Sequence, residues 1–136
     1  MKTEQYKYLI EKAREARRAS YSPYSGFSVG AALLASDGRV YTGANIENAS
    51  FTPTVCAERV AFFSAIHDGV RDFTAIAITG GASGSDPEAA CPPCGVCRQV
   101  MSEFCRGDFT VIIDGGEDYE VYTLDELLPA RFNLKK

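Results

Sequence analysis

Hydrophobic positions along the chain switch between a helical and a strand period several times. Tyr6, Leu9, Ile10 and Ala13 recur at helical spacing, with Lys7, Lys12, Arg14, Arg17 and Arg18 on the opposite face. This predicts an amphipathic helix over 3–19 whose basic face is solvated. Turn chemistry at Tyr21-Ser-Pro-Tyr-Ser-Gly26 precedes an apolar run over 27–34. Ser36-Asp-Gly38 then turns the chain into a second run over 39–45, which predicts a hairpin. A polar connection over 46–54 leads to a predicted helix at 56–67. Val60, Ala61, Phe63, Ser64 and Ala65 are placed on its inner side, and Asp68-Gly69 ends it.

The run at 73–79 is almost continuously apolar, as in a strand covered on both faces. Residues 80–90, rich in Gly, Ser and Asp, read as a loop. A helix over 94–104, strands over 109–113 and 119–122, and a short helix over 124–128 complete the chain. The last helix opens with a capping box formed by Thr123 and Glu126. Apolar central strands alternating with helices predict a three-layer α/β/α sandwich around a five-stranded mixed sheet. The 136 residues suit one domain over 1–136, with no linker or internal repeat.

Composition changes the picture in three places. Hydrophobic residues at 46% and charged residues at 24% are ordinary for a globular chain and exclude disorder. The net charge of −4 speaks against a general binder of phosphate backbones. The chain carries five cysteines and one histidine. An odd cysteine count, with no signal-like or membrane-length apolar run, predicts a cytoplasmic protein whose thiols are free or metal-bound.

Two segments give those thiols a use: Pro53-Thr-Val-Cys56-Ala57-Glu58-Arg59 and Cys91-Pro-Pro93-Cys94-Gly-Val-Cys97-Arg98. Each places a cysteine at the start of a predicted helix, where unpaired N–H groups and the helix dipole favour a thiolate. Thiolate is the form that binds zinc. Cys94 and Cys97 are three residues apart, so both can face one point from the first helical turn. A lone Cys-x-x-Cys is weak evidence, but Cys56 adds a third thiol at another helix start. Three protein ligands and one open position form the catalytic zinc pattern. Glu58, converging on the same helix mouth, is placed to move protons to and from a zinc-bound water. Taken alone, a first-turn glutamate is more simply explained by the helix dipole.

These residues resemble the small zinc-dependent cytidine deaminases. Zinc deaminases carry His or Cys, x, Glu, then Pro-Cys-x-x-Cys, which Cys56-Ala-Glu58 and Pro93-Cys-x-x-Cys97 match. Phe27-Ser-Val-Gly-Ala-Ala-Leu-Leu34, Asn45-Ile-Glu47-Asn48, Cys97-Arg-Gln-Val-Met101 and Glu126-Leu-Leu-Pro129 extend the resemblance over most of the chain. It implies one Zn²⁺ per subunit on Cys56, Cys94 and Cys97, with Glu58 as proton carrier. It also implies that Asn45 and Glu47 bind the ribose, Phe27 packs on the pyrimidine and the backbone of Ala57 reads the cytosine edge. Arg59 would tune the zinc through a ligand sulfur. The subunits would form a homotetramer with shared active sites, Phe132 reaching a neighbour's site. The implied reaction is hydrolytic deamination of cytidine and 2′-deoxycytidine in pyrimidine salvage.

Three other readings compete. One is a deaminase for a blasticidin-S-type nucleoside antibiotic, against which Phe27 and Asn45-Ile-Glu47-Asn48 speak. Another is a non-catalytic zinc-stabilised or RNA-binding module, which would need a closed four-cysteine site and a basic face. The third, a polynucleotide editor, is disfavoured by the negative charge. Cys91 creates a second Cys-x-x-Cys with Cys94. The extended backbone before Pro92 and Pro93 is expected to carry Cys91 away from the helix start. Cys105 is read as a buried structural thiol and His67 as a bystander near a helix end.

Overall fold

A computed structural model describes residues 2–134. Met1, Lys135 and Lys136, the ends of the expected single domain, lie outside the described residues. The elements run α1 (Thr3–Ala16), β1 (Phe27–Ala35), β2 (Val40–Ala44), α2 (Ala57–His67), β3 (Phe73–Ala82), α3 (Gly95–Phe104), β4 (Thr110–Asp114), β5 (Tyr119–Thr123) and α4 (Leu124–Leu127). The strands form one sheet in the order β2-β1-β3-β4-β5. Only β3 and β4 are parallel; every other pair is antiparallel. The parallel pair requires a crossover, and α3 supplies it. The sheet is therefore mixed and five-stranded, as expected.

Strand alternation divides the core into two layers. Leu33, Ile76, Ile78, Val111 and Ile113 face one way, against Ala61 and Phe62 of α2, Met101 of α3 and Leu124 of α4. Ala32, Ala75, Ala77 and Ile112 face the other way, against Leu9, Ile10 and Ala13 of α1. Helices thus cover both faces, which gives the three-layer sandwich. Two glycines let the helices sit directly on the sheet. A Cβ at Gly30 would lie 2.1 Å from the Ala13 carbonyl oxygen, and one at Gly43 would lie 2.5 Å from that of Ala57. The second contact matters for chemistry, because it presses the start of α2 onto β2.

Four expectations need correction. Phe62, not Phe63, is the core residue of α2; Phe62 is fully buried and Phe63 is 48% exposed. The strand expected to stop at residue 79 continues through Gly80, Gly81 and Ala82, because β1 pairs with it as far as Phe27↔Ala82. The basic face of α1 is not simply solvated. Arg14 donates from Nε and Nη2 to the buried Asp114 carboxylate at 2.7 and 2.9 Å. Arg17 donates to the carbonyls of Ser28, Ala82 and Ser85. The helical pattern also ends sooner than expected, as Arg17–Ala19 form a 3₁₀ turn.

Candidate active site

Cys56 and Cys94 are the N-cap residues of α2 and α3, each with extended backbone. Cys97 is the third residue of α3 and is 1% exposed. The two helix starts bring the three sulfurs together, all within 4.8 Å of one another. Cys56 Sγ lies 3.8 Å from Cys94 Sγ, which lies 3.5 Å from Cys97 Sγ. Ligand bonds of about 2.3 Å in a tetrahedral arrangement place neighbouring sulfurs about 3.8 Å apart. The sulfur spacing therefore fits zinc held by three protein ligands. Cys91, the alternative ligand, is outside this cluster. Its sulfur lies 2.8 Å from the point a Gly80 Cβ would occupy, beside the Phe27 ring. Burial pushes its pKa up to about 11, so this thiol stays protonated.

The neighbours of the sulfurs set their charge. A hydrogen bond from Cys97, opposed by burial and aided by Arg59 and Cys94, brings Cys56 down to about 5. Cys97, as the donor to Cys56, is raised. The Arg59 guanidinium donates to Cys56 Sγ at 3.4 Å, and it also hydrogen-bonds Cys97. Its buried Nε has no partner. A buried donor left unpaired is costly. The guanidinium accepts that arrangement while facing two sulfurs, which suits a centre where Zn²⁺ and three thiolates sum to −1.

Glu58 is the second residue of α2 and is 4% exposed. Burial pushes its carboxyl up to about 7, and the Cys56 thiolate adds to the effect. Hydrogen bonding with Cys97 puts the carboxyl beside the sulfurs. A buried carboxyl with a pKa near neutrality can both take and give a proton.

Of the residues expected to meet a nucleoside, Phe27 and Asn45 are hydrogen-bonded to each other. Phe27 opens β1 and is 42% exposed. Asn45 follows β2, and its amide is fixed by three bonds. Nδ2 donates to the Phe27 carbonyl at 2.9 Å. Oδ1 accepts from Val29 N at 2.9 Å and from Ser20 Oγ at 2.5 Å. The oxygen is thereby saturated, and one N–H of the amide remains to donate. Glu47 accepts from the N–H groups of Tyr24 and Ser25 and from the Ser25 hydroxyl. These bonds hold its carboxyl below the usual range, which keeps it an acceptor. The Ala57 side chain is fully buried, leaving its backbone at the helix mouth. Phe132 is 67% exposed, and its carbonyl accepts from Gln99 Nε2 at 3.1 Å. A cleft of about 660 Å³ adjoins Asn45, lined by its partner Ser20 and by Arg17, Arg18, Ser22, Ser28 and Ser83 among others.

Sequence reasoning gave no role to Arg98. It lies beside Cys97 on α3, and it grips two carbonyls, those of Pro93 and Leu127. Spacing could not show this, because one partner is 29 residues away. Cys105 is half-buried against the core, and burial raises its pKa, in keeping with a structural thiol. His67 ends α2, exposed to solvent.

Three thiols, with no fourth Cys, His, Asp or Glu grouped with them among the described residues, and a buried carboxyl alongside fit a zinc centre of the catalytic rather than the closed structural type. The model of the cytidine and deoxycytidylate deaminase zinc-binding region matches residues 3–113. A cytidine deaminase of Halalkalibacterium halodurans is 50% identical over 125 residues, 91% of each chain. One of Sporosarcina psychrophila is 48% identical over 126 residues, 92% of this chain and 89% of that one. The crystal structure of cytidine deaminase from Burkholderia pseudomallei, 42% identical, superposes with a TM-score of 0.85 over 97% of this chain and 100% of that one. The chain belongs to the cytidine and deoxycytidylate deaminase family, and zinc is its cofactor.

Proposed function

We propose that the protein hydrolyses cytidine and 2′-deoxycytidine to uridine and 2′-deoxyuridine, releasing ammonia, as a step of pyrimidine salvage. The observation that carries this reading is the meeting of Cys56, Cys94 and Cys97 at two helix starts with the buried Glu58 beside them. The named activity of the relatives supports it. Zinc, when bound, lowers the pKa of a coordinated water from about 15.7 toward about 7 and so supplies a nucleophile at neutral pH.

The chain's own residues do the rest. Glu58 accepts the proton of the attacking water and delivers it to N3 of cytosine. It then takes the second proton of that water from the new C4 hydroxyl and passes it to the departing 4-amino group as the C4–N bond breaks, so water and cytidine give uridine and ammonia in balance. Phe27 packs on the pyrimidine ring, and the Ala57 backbone reads the cytosine edge. Asn45 donates to a ribose hydroxyl and Glu47 accepts from it. That pairing suits one hydroxyl acting in both directions, assigned to the 3′ position. No residue is assigned to the 2′ position, hence the two substrates. Arg59 steadies the ligand sulfurs.

The working form is a homotetramer of single-domain subunits with shared active sites. Phe27 and Cys94 are exposed, so the zinc shelf is open on that side in one chain. Phe51 and Phe132, at 82% and 67% exposure, leave apolar rings for a neighbour to cover. No described helix is long and apolar enough to cross a membrane, and the site is assigned to the cytoplasm.

Ultraviolet absorbance and ammonia release, followed on the zinc-loaded protein with cytidine, 2′-deoxycytidine, deoxycytidylate and blasticidin S, test the reading. Turnover of both nucleosides above the other two is expected. Preference for blasticidin S or for the nucleotide would overturn the substrate assignment. Sedimentation in the same buffer should give four chains per particle.

A further inference from the structure

The three zinc ligands are not held equally. Cys97 is buried in α3 and Cys56 is half-buried with the Arg59 guanidinium on its sulfur, whereas Cys94 is exposed. Packing therefore does least for Cys94. Just before it Pro93 is buried and Pro92 exposed, and neither has an N–H, so these two residues can hydrogen-bond only through their carbonyls. Gly95 follows, with nothing within 4 Å of the place its Cβ would take.

One side chain supplies the missing hold. Arg98 is the fourth residue of α3, and helical side chains lean back over the preceding turn. Its Nε donates to the Pro93 carbonyl at 2.8 Å, one residue before Cys94. Its Nη1 donates to the Leu127 carbonyl at 2.7 Å, at the end of α4. Its backbone N–H donates to the Cys94 carbonyl at 3.0 Å. The far anchor is firm, because Thr123 and Glu126 close α4 with a reciprocal capping box and Leu124 is fully buried. Arg98 thus brackets Cys94 on both sides and fastens the bracket to a separate element.

We propose that Arg98 is a positioning residue for the zinc centre, fixing the backbone on either side of Cys94 by clamping the Pro93 carbonyl to α4. The proposal rests on Cys94 being a zinc ligand. The guanidinium is the side chain suited to the task, because its planar fork reaches two acceptors at once; a lysine ammonium is a point charge on a flexible stem. Groups that orient ligands usually contribute about 10- to 100-fold in metal affinity or activity.

The test uses full-length zinc-loaded protein with Arg98→Met, Arg98→Lys and a control, Arg71→Met. Arg71 also braces two carbonyls, those of Ile66 and Val70, at the far end of α2. Three readouts are taken: the rate of zinc transfer to a chromogenic chelator, the thiolate-to-metal absorption of the cobalt-substituted protein, and the melting temperature of the metal-free chain. Arg98→Met should release zinc about 10- to 100-fold faster and change the cobalt spectrum, and Arg98→Lys should follow it. Arg71→Met should lower the melting temperature and leave release and spectrum as in the parent. Unchanged release in Arg98→Met, equal acceleration in Arg71→Met, or full rescue by Arg98→Lys each overturns the clamp. Cys94→Ser separates the underlying assignment: if it keeps zinc and the cobalt spectrum, the ligand reading itself is wrong.

Discussion

Glu58 and Asp114 are both carboxylates almost fully removed from water, at 4% and 1% exposure, and the molecule treats them in opposite ways. Burial alone would raise Asp114, but Arg14, the Gly116 N–H and the Thr79 hydroxyl outweigh it and hold the group below the usual carboxylate range. Its acceptor sites are filled, and it ties α1 to the ends of β3 and β4. Glu58 also pays for burial, but its neighbours are sulfurs, one of them a thiolate, and its carboxyl rises to about 7. Complete pairing makes a buried acid structural. Incomplete pairing beside a metal site leaves an acid that can exchange protons.

The strongest way to break this contrast is Glu58→Gln. The amide keeps the shape and cannot carry a proton. Zinc content should stay at one per chain while turnover of cytidine falls by about 10²- to 10⁴-fold, the span a positioned acid–base contributes. Retained turnover at full zinc would remove Glu58 from the mechanism. The metal-free variant should also show the contrast in its stability. Glu58 has a folded pKa raised above the unfolded value of about 4.3, so its burial favours the folded state below that value. That contribution is lost as pH rises toward about 7. Glu58→Gln should therefore melt higher than the parent near pH 8 and approach it near pH 4.

Asp114→Asn should do the reverse, with a smaller effect. The variant loses the charged bond to Arg14, whose side chain is 43% exposed, and keeps the bonding groups near Thr79 and Gly116. A loss of roughly 2 kcal/mol of stability is expected, with the zinc chemistry intact. The folded pKa of Asp114 is depressed, so its contribution is fully present above the unfolded value of about 3.9 and fades as pH falls through the lower folded value. Melting curves of parent and variant should converge below pH 4. A constant gap down to pH 2 would mean that the ion pair is not what Asp114 contributes.

Arg59→Gln comes next. Losing the guanidinium removes a hydrogen bond and a positive charge from Cys56. About tenfold weaker zinc retention is expected, read by chelator competition. Equal retention would leave Arg59 with no role at the metal.

The two regions also differ in how readable they were. The zinc residues are local words in the sequence, a cysteine before a helix and a Glu two residues on, and helix geometry alone brings Cys94 and Cys97 together. Asp114 and Arg14 are 100 residues apart, and nothing in the α1 pattern separates an arginine that reaches a buried acid from one in water. The same gap explains the extension of β3. Gly80 and Gly81 have loop composition, but pairing with β1 carries them into the sheet. The phase of α2 was misread because Phe62 and Phe63 are equally apolar, and only the sheet decides which ring is buried. Arg98 belongs to this second kind. It lies beside a zinc ligand in sequence, yet its work is visible only where α4 ends.

The smallest effect is expected at Cys91, and it probes the border between the two regions. Cys91 is three residues from Cys94, as Cys97 is, so spacing alone does not separate them; the prolines between Cys91 and Cys94 do. In the fold its sulfur sits against Gly80, which Phe27 also faces, and burial pushes its pKa up to about 11. The three sulfurs that gather at the two helix starts do so without it. Cys91→Ser replaces a small apolar contact by a hydroxyl, a change of about 1 kcal/mol or less in stability. Zinc content, release rate and cytidine turnover should match the parent. Any shift should appear in KM for nucleosides, through the Phe27 wall. Cys97→Ser in the same assays should lose the metal and the activity. A Cys91→Ser protein that loses zinc would show that the cluster exchanges ligands within the doubled motif.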